Sequence, residues 1–250
     1  MTKLYKKDYF KDNCGFGLIA NIDGKPSRKI VLDSINALES MTHRGGIGAD
    51  GKTGDGCGLL LQLNKEFFIK TLFTEQGIRL SNRFAVGQLF FFEKFEKIEN
   101  KIRKILSKEG LELKTVRSVP INKDILGSIA LDCLPNIYQI FLEPNLEGMS
   151  DCELETALLQ SRKLIEEIFL DDEKLYFCSL SSKTIIYKGL MLPKDIESFY
   201  IDFKSKHFKS SICVFHQRFS TNTTPKWHLA QPFRLLAHNG EINAIRGNRN

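Results

Sequence analysis

The sequence contains more short apolar runs of strand length than helical segments that could connect them as parallel strands. This excess of strands over helices constrains the fold more than any other feature. Runs of strand length occupy residues 16–21, 57–63, 84–92, 136–143, 175–180, 184–187, 211–215 and 234–237. Parallel strands need a long crossover connection, usually a helix, between them. Two of the runs are instead separated only by Ser181-Ser182-Lys183, a spacing typical of a hairpin. We therefore predict an α+β protein with antiparallel sheets covered by helices.

Four segments have the sequence properties of helices. Val31, Ile35, Leu38 and Met41 form one apolar stripe in residues 28–41. A second helix is predicted over residues 65–76, and a charged amphipathic helix over residues 93–109. A fourth extends to Phe169 and begins at Ser150, where Glu153 completes a capping box. No Pro/Gly/Ser-rich linker interrupts the pattern, so these elements are expected to form one interleaved domain.

Composition excludes several classes of protein. The 250 residues carry a net charge of +6, and no apolar run reaches the ~18 residues that a membrane helix requires. Lysines alternate with glutamates, which is typical of a solvated helix face and not of a nucleic-acid groove. Neither a membrane nor a nucleic-acid partner is expected. Residues 1–13 contain no apolar stretch and are not a secretory signal.

The six cysteines lie at positions 14, 57, 133, 152, 178 and 213. None forms a Cys-x-x-Cys pair, and the histidines do not complete a zinc spacing, so no metal site is predicted. Cys133, Cys152, Cys178 and Cys213 have apolar neighbours and are predicted to be core residues. A reducing compartment is the simplest expectation, which places the protein in a cytoplasm or a plastid stroma.

Residues 42–56 form a Gly-rich loop that matches a phosphate-binding pattern, because residues 46–53 read Gly-Ile-Gly-Ala-Asp-Gly-Lys-Thr. That pattern binds phosphate when a strand precedes it and a helix follows. Here a helix precedes the loop and a strand follows it. We predict a Gly-rich loop beside an active site instead of a nucleotide site. Arg44, at the beginning of the loop, could hold this loop or an N-terminus in place.

Cys14 is the strongest candidate for a nucleophile. It begins the first strand, follows a charged stretch and is flanked by Asn13 and Gly15. Cleavage of the bond before Cys14 would create a free α-amine, whose pKa of ~7.7–8 lies close to working pH. One residue would then supply both a thiol nucleophile and a general base. The alternative is an ordinary buried cysteine.

Polar residues that follow two later strands complete the candidate site. The Asn239 amide and the Gly240 N–H, after the run 234–237, could form an oxyanion hole, although Asn-Gly is also a common hairpin turn. Arg218, after the run 211–215, could hold a substrate carboxylate in a bidentate contact, and Thr221 could orient the substrate. The alternative for Arg218 is a surface ion pair.

The motifs that contain these residues resemble those of a known family. They are Cys-Gly-Phe-Gly-Leu at 14–18, His-Arg-Gly at 43–45 with Gly-Asp-Gly-Cys-Gly-Leu-Leu at 54–60, His-Gln-Arg-Phe-Ser-Thr-Asn-Thr at 216–223, and His-Asn-Gly-Glu-Ile-Asn at 238–243. Together they resemble the class II glutamine amidotransferases of the N-terminal-nucleophile hydrolases, and especially the amidotransferase domain of glutamate synthases. The resemblance implies a four-layer αββα sandwich of antiparallel sheets.

The resemblance also implies roles for individual residues. Residues 1–13 would be a propeptide, and residues 14–250 a class II glutamine amidotransferase domain truncated on its C-terminal side. Cys14 would be the nucleophile and its α-amine the base. Asn239 and Gly240 would form the oxyanion hole, and Arg218 would bind the α-carboxylate of glutamine.

The partners implied are glutamine, downstream synthase domains that receive ammonia and aminate 2-oxoglutarate, and an electron donor, either ferredoxin or a pyridine-nucleotide-linked subunit. FMN and an iron–sulfur cluster are implied for the full-length enzyme and no cofactor for this segment. Two alternatives stay open: a non-catalytic regulatory or assembly module, and an amidotransferase serving another ammonia acceptor. His228 and Ala244 depart from the family pattern, but neither coincides with a proposed catalytic atom.

Overall fold

A computed structural model describes residues 15–146, 148–169, 174–217 and 224–234. Eight strands are present in these ranges: β1 (Phe16–Ala20), β2 (Cys57–Gln62), β3 (Ala85–Phe91), β4 (Leu111–Ser118), β5 (Asn136–Pro144), β6 (Leu175–Ser181), β7 (Thr184–Gly189) and β8 (Ile212–Gln217). The helices are α1 (Arg28–Ser40), α2 (Lys65–Gln76), α3 (Glu99–Lys108), α4 (Ser128–Asp132), α5 (Asp151–Glu167) and α6 (Ile196–Phe199).

Side chains at the N-termini of three long helices satisfy backbone donors there. Ser27 accepts a hydrogen bond from Ile30 N at the start of α1, and Asn64 accepts one from Phe67 N at the start of α2. Ser150 and Glu153 form the predicted capping box at the start of α5. These boundaries could be predicted because the capping signal is local in the sequence.

The strands form two four-stranded antiparallel sheets. The first has the order β1-β8-β2-β7, and the second has the order β4-β5-β3-β6. In the first sheet, Phe16 of β1 pairs with His216 of β8, which pairs in turn with Gly58 of β2. Gly58 pairs with Lys188 of β7, so this row crosses the whole sheet.

Helices cover the outer faces of the paired sheets. α1 packs on β1 and β8 of the first sheet, whereas α3 and α5 pack on β4 and β6 of the second. The two sheets meet where β7 contacts β3 and β6. One apolar cluster joins α1 and α2 to residues of both sheets, and another lies between the second sheet and α3 with α5. The predicted α+β, αββα sandwich of antiparallel sheets is confirmed.

The predicted hairpin between residues 175–180 and 184–187 is wrong. β6 pairs with β3 in the second sheet, and β7 pairs with β2 in the first. The connection is a corner between the sheets, where the Glu155 carboxylate of α5 accepts hydrogen bonds from Ser182 N, Ser182 Oγ and Ser181 Oγ. A short polar connection predicts a change of direction, but it does not show which strands will pair.

Three further expectations need correction. Residues 111–118 were not predicted as a strand, yet they form β4 at the edge of the second sheet. The helix predicted over 93–109 contains a 3-10 turn at Phe95–Lys97 before α3 begins. Cys178 and Cys213 are buried as predicted, but Cys133 and Cys152 are exposed. Both lie in or next to helices on faces turned to solvent, because apolar neighbours in sequence need not be neighbours across a helix.

Candidate active site

The beginning of β1 lies directly against the end of β8. Gln217 N donates a hydrogen bond to the carbonyl of Gly15 at 2.5 Å, which continues the pairing of Phe16 with His216. The Gln217 carbonyl oxygen occupies the space that a β-carbon on Gly15 would need. Only glycine therefore fits at residue 15 with the strands this close.

Arg44 lies at the same place. α1 ends at Ser40 and is followed by a 3-10 turn over Thr42–Arg44, in which Arg44 N donates to the Met41 carbonyl at 2.8 Å. The β-carbon of Arg44 is 3.7 Å from the β-carbon position of Gly15. The half-buried Arg44 therefore lies beside Gly15, the residue that precedes β1.

Gln217 contacts both Gly45, which follows this turn, and Gly15, which precedes β1. Its side chain is fully buried, and its Nε2 lies so close to Gly45 that a β-carbon there would collide with it. Neither Oε1 nor Nε2 of Gln217 has a hydrogen-bond partner among the described residues. A buried carboxamide without partners is destabilising, by about 1–3 kcal/mol for each unsatisfied group. Sequence reasoning missed Gln217, because its neighbour Arg218 carried the recognisable chemistry.

The thiol of Cys57 lies beside Gln217 but is not a candidate nucleophile. Cys57 pairs with Gln217 in the sheet, is fully buried, and has its Sγ 3.4 Å from the Met191 carbonyl. Burial raises the pKa of the Cys57 thiol well above its ordinary value, so the reactive thiolate is disfavoured.

The Gly-rich loop is held by Asp50 and is not a phosphate loop. α1 precedes it, the 3-10 turn at Thr42–Arg44 forms its first residues, and β2 follows it, as predicted. The Asp50 carboxylate accepts hydrogen bonds from Thr53 Oγ1 and Thr53 N, and also from Lys52 N and Ile129 N. These bonds, led by those from Thr53, hold the pKa of Asp50 well below its usual range. The loop is therefore tied to the start of α4.

A segment after β8 packs across β2 and β7. The Trp227 ring is buried between Phe90 and Phe199, and its Nε1 donates to the Ala130 carbonyl at 3.2 Å. The Lys188 ammonium donates to the His228 carbonyl at 2.8 Å. Lys188 was not predicted as a functional residue, since a lysine near the end of a strand is normally exposed.

The structure brings together only part of the predicted site. Arg44 is described and lies beside Gly15. Cys14, Arg218, Thr221, Asn239 and Gly240 lie outside the described residues, as do most of the predicted strand 234–237 and the segment 1–13. Gly15 is the sequence neighbour of Cys14, and Gln217 is the sequence neighbour of Arg218. Gln217 N donates a hydrogen bond to the Gly15 carbonyl. The pairing of β1 with β8 therefore joins the two described residues that precede or follow Cys14 and Arg218 in the sequence.

Two kinds of feature are absent from the described part of the chain. It contains no group of three or more His, Cys, Asp or Glu side chains placed to hold a metal ion. No described helix combines the length and apolar character needed to cross a membrane.

Comparison with known proteins identifies the relatives of this chain. Residues 14–250 match the family model described as glutamine amidotransferases class-II. The chain is 42% identical over 252 residues to the glutamate synthase [NADPH] large chain of Azospirillum brasilense, covering 98% of this chain and 17% of that protein. It is 42% identical over 245 residues to the chloroplastic ferredoxin-dependent glutamate synthase of Oryza sativa subsp. japonica, covering 95% and 15%. The Bacillus subtilis glutamate synthase [NADPH] large chain is 39% identical over 253 residues, covering 99% and 16%. The chain thus spans about a sixth of the length of these relatives.

Proposed function

The chain belongs to the class II glutamine amidotransferases, and from this premise we propose that it is the glutaminase part of a glutamate synthase. It would hydrolyse the side-chain amide of glutamine and release glutamate and ammonia. The observation that carries the proposal is the pairing of Gly15 with Gln217 beside Arg44. It joins the chain positions next to Cys14 and Arg218, which match the family motifs.

The proposed reaction uses Cys14 after removal of residues 1–13. The free α-amine takes the proton of the thiol, and the thiolate attacks the carboxamide carbon of glutamine. Asn239 and the Gly240 N–H stabilise the oxyanion that forms. Ammonia leaves as the carbon–nitrogen bond breaks, with the proton supplied from the α-amine, and water then hydrolyses the γ-glutamyl thioester to glutamate.

Substrate binding is assigned to cationic and hydroxyl side chains. Arg218 would hold the α-carboxylate of glutamine in a bidentate contact, and Thr221 would orient the substrate. Arg44, half-buried beside Gly15, would hold the loop edge or the new N-terminus. This role for Arg44 is structural and not chemical.

The remaining partners belong to the full-length protein. Ammonia would pass to a downstream synthase domain and aminate 2-oxoglutarate, with electrons delivered through FMN and an iron–sulfur cluster. The printed names of the relatives include both ferredoxin-dependent and NADPH-linked enzymes, and either donor is compatible with the present residues. We propose a cytoplasmic location, or a plastid stroma if the source is a photosynthetic eukaryote.

The decisive experiment combines intact mass with glutaminase activity of the full-length protein. The expected mass begins at Cys14, and Cys14→Ala is expected to abolish glutamine hydrolysis. Cys152→Ala is a matched control, because Cys152 is an exposed cysteine on α5 and its removal should leave the activity unchanged.

Other outcomes would select the alternatives. A protein that retains residues 1–13, with no glutaminase activity, would be a regulatory or assembly module of the same fold. Cys14-dependent ammonia release without amination of 2-oxoglutarate would indicate an amidotransferase that serves another acceptor. Hydrolysis that survives Cys14→Ala would show that the nucleophile is assigned wrongly.

A further inference from the structure

A cavity of about 490 Å³ lies at the end of the first sheet that is opposite to the candidate active site. Gln62, the last residue of β2, and Thr184, the first residue of β7, pair with each other and line this cavity. Cys57, which pairs with Gln217, lies five residues earlier in β2, or about 17 Å away at ~3.4 Å per residue. The cavity is therefore separate from the place where Gly15 meets Gln217.

Three cationic side chains from distant parts of the sequence line the cavity. Lys65 begins α2, Arg83 precedes β3, and Lys183 lies in the corner between β6 and β7. Among the described residues that line the cavity, Asp151 at the beginning of α5 is the one acid. The lining therefore carries more positive than negative charge.

The acids near the cavity neutralise this charge only in part. The Arg83 guanidinium lies 3.8 Å from the Asp151 carboxylate, whose side chain is 78% exposed. Water screens such an exposed pair, so the pair contributes little. Glu155 lies next to the lining residue Ser182, and its carboxylate already accepts hydrogen bonds from Ser182 N, Ser182 Oγ and Ser181 Oγ. An excess of positive charge thus remains at the cavity.

Lys65 and Arg83 are close enough to repel each other. Burial is the main cause that lowers the pKa of the Lys65 ammonium, and Arg83 lowers it as well, whereas Asp151 raises it. Lys65 Nζ donates to the Asn82 carbonyl at 2.9 Å, and the Arg83 guanidinium donates to the Met149 carbonyl. These carbonyls accept hydrogen bonds but carry no net charge to offset the two cations. An anion bound to both cations would supply that charge.

Further donors at the cavity have no acceptor among the described residues. No described carboxylate forms an ion pair with Lys183. Gln62 Oε1 accepts hydrogen bonds from Ser211 N and Ser211 Oγ, which leaves the Nε2 amide group of Gln62 as a donor. The buried Leu63 and Leu154 give the cavity an apolar part.

These features together select a small anionic ligand. A guanidinium group binds a carboxylate or a phosphate in a bidentate contact, and an ammonium group adds a compact positive charge. The volume of the cavity lies within the roughly 300–1,000 Å³ that is typical of small-molecule sites. Three cations beside one exposed acid are matched by a ligand that carries two negative charges.

We propose that this cavity is a binding site for a small dianion, whose carboxylate or phosphate groups are held by Lys65, Arg83 and Lys183. The proposal concerns a second site and does not depend on the proposed glutaminase reaction. The bound dianion connects α2, the beginning of β3 and the corner between β6 and β7. It also offsets the repulsion between Lys65 and Arg83.

The test measures how fast acetic anhydride acetylates individual lysines of the full-length protein, with peptide mass spectrometry as the readout. Inorganic phosphate and succinate are the two probes, each titrated at an ionic strength kept constant with NaCl. At ten times its Kd a probe should slow the acetylation of Lys183 about tenfold, because only the free protein reacts. Half-protection is expected at or below about 1 mM. The exposed Lys101 on α3 is the control and should react at an unchanged rate.

The two probes distinguish the chemical source of the anion. Protection by succinate alone identifies a dicarboxylate site, and protection by phosphate alone identifies a phosphate site. Either result supports the proposal.

Variants at Lys183 test whether the cations act together. Lys183→Met should raise the probe concentration that protects Lys65 about tenfold, because one charge-assisted contact is lost. Lys183→Arg keeps the positive charge and should lose much less affinity. Lys101→Met removes the same charge outside the cavity and should behave as wild type.

Several outcomes would overturn the proposal. It fails if neither probe protects Lys183 at about 20 mM, a concentration that fills even weak sites. It fails if the probes protect Lys101 equally, because general ionic screening then explains the effect, or if Lys183→Met leaves the protection of Lys65 unchanged. Resistance of Lys183 to acetylation before any probe is added would show that another part of the full-length protein covers the cavity, and this too would overturn the proposal.

Discussion

The carbonyl oxygen of Gln217 fills the position that a β-carbon on Gly15 would occupy. This contact brings the backbones at the beginning of β1 and the end of β8 very close together. The same Gln217 presses its side-chain Nε2 against Gly45. Gln217 therefore requires glycine at residues 15 and 45. The close packing of β1, β8 and the Gly-rich loop depends on these two glycines.

Gly15→Ala should disable the site. The added methyl group must push β1 away from β8, and overpacking of this kind typically costs about 1–3 kcal/mol. We expect loss of glutaminase activity of at least tenfold with a lower Tm, measured on the full-length protein. Gly46→Ala is the control, since its β-carbon would meet nothing closer than 3.6 Å. Equal activity in the two variants would contradict the close contact at Gly15.

Gln217→Met should leave stability unchanged or increase it. The substitution keeps the length of the side chain and removes a buried carboxamide that has no hydrogen-bond partner among the described residues. Removal of such groups relieves a penalty of about 1–3 kcal/mol for each. Urea unfolding of the 250-residue chain, followed through its single tryptophan, Trp227, measures the change. A loss of more than about 1 kcal/mol would show that the carboxamide is in fact paired.

Arg117→Met should destabilise the fold strongly. The buried Arg117 guanidinium binds Asp202 at 2.8 and 2.9 Å, and it also binds Glu75. These carboxylates raise the pKa of Arg117 above its ordinary value despite burial, which by itself lowers that pKa. Removing Arg117 leaves the buried Asp202 without its counter-ion, at a cost of about 3–5 kcal/mol in the free energy of unfolding.

The control for Arg117 is Lys97→Met, which breaks an exposed pair with Glu93. Its expected cost is much smaller, because exposed ion pairs contribute little to stability. The double variant Arg117→Met with Asp202→Leu should recover much of the lost stability, because the uncompensated charge is then absent. Similar urea midpoints for Arg117→Met and Lys97→Met would refute the assignment of a buried ion pair.

Asp50 should make the protein sensitive to acid. Because hydrogen bonds from Thr53 lower its folded pKa, its carboxylate stabilises the fold fully above the unfolded Asp pKa of ~3.9. That contribution is lost as pH falls from there toward the lower folded pKa. Asp50→Asn should therefore be less stable than wild type at pH 6, and the difference should shrink below pH 4. Asp124→Asn, which removes another exposed carboxylate, controls for net charge.

Much of the fold could be predicted because its signals are local. The bounds of α2 and the capping box of α5 follow from neighbouring residues, as do most strand positions. The corner between β6 and β7 could not be predicted, because Glu155 lies more than 25 residues earlier in the chain and reaches that corner only after α5 has packed. β4 was not predicted because its buried positions include Thr115 and Arg117, so that it contains no apolar run, although its burial alternates as in a half-buried strand.

The residues of the candidate site also divide into those that a local sequence signal indicates and those that depend on distant contacts. The motifs around Cys14, Arg218 and Asn239 are visible in the sequence, and their assignments stay predictions because they lie outside the described residues. The place of Arg44 at the end of the first helix led to the expectation that it holds the loop or an N-terminus, but its contact with Gly15 depends on the tertiary structure. Gln217 lies inside a family motif but had no role assigned to it, and Lys188 lies in no motif. The surroundings of both residues depend on burial and on contacts with segments far away along the chain.

Periodicity, capping residues and motif spacing are properties of short stretches of chain, and they were enough to predict the class of the fold, the capping box of α5 and the family resemblance. The contacts of Gln217 with Gly15 and Gly45 became visible only in the tertiary structure. So did the contacts of the Lys188 ammonium with Tyr176 and the segment 227–233. These contacts join strands and loops that are distant in sequence. Their energies depend on desolvation and close packing, which exist only once the two sheets have assembled.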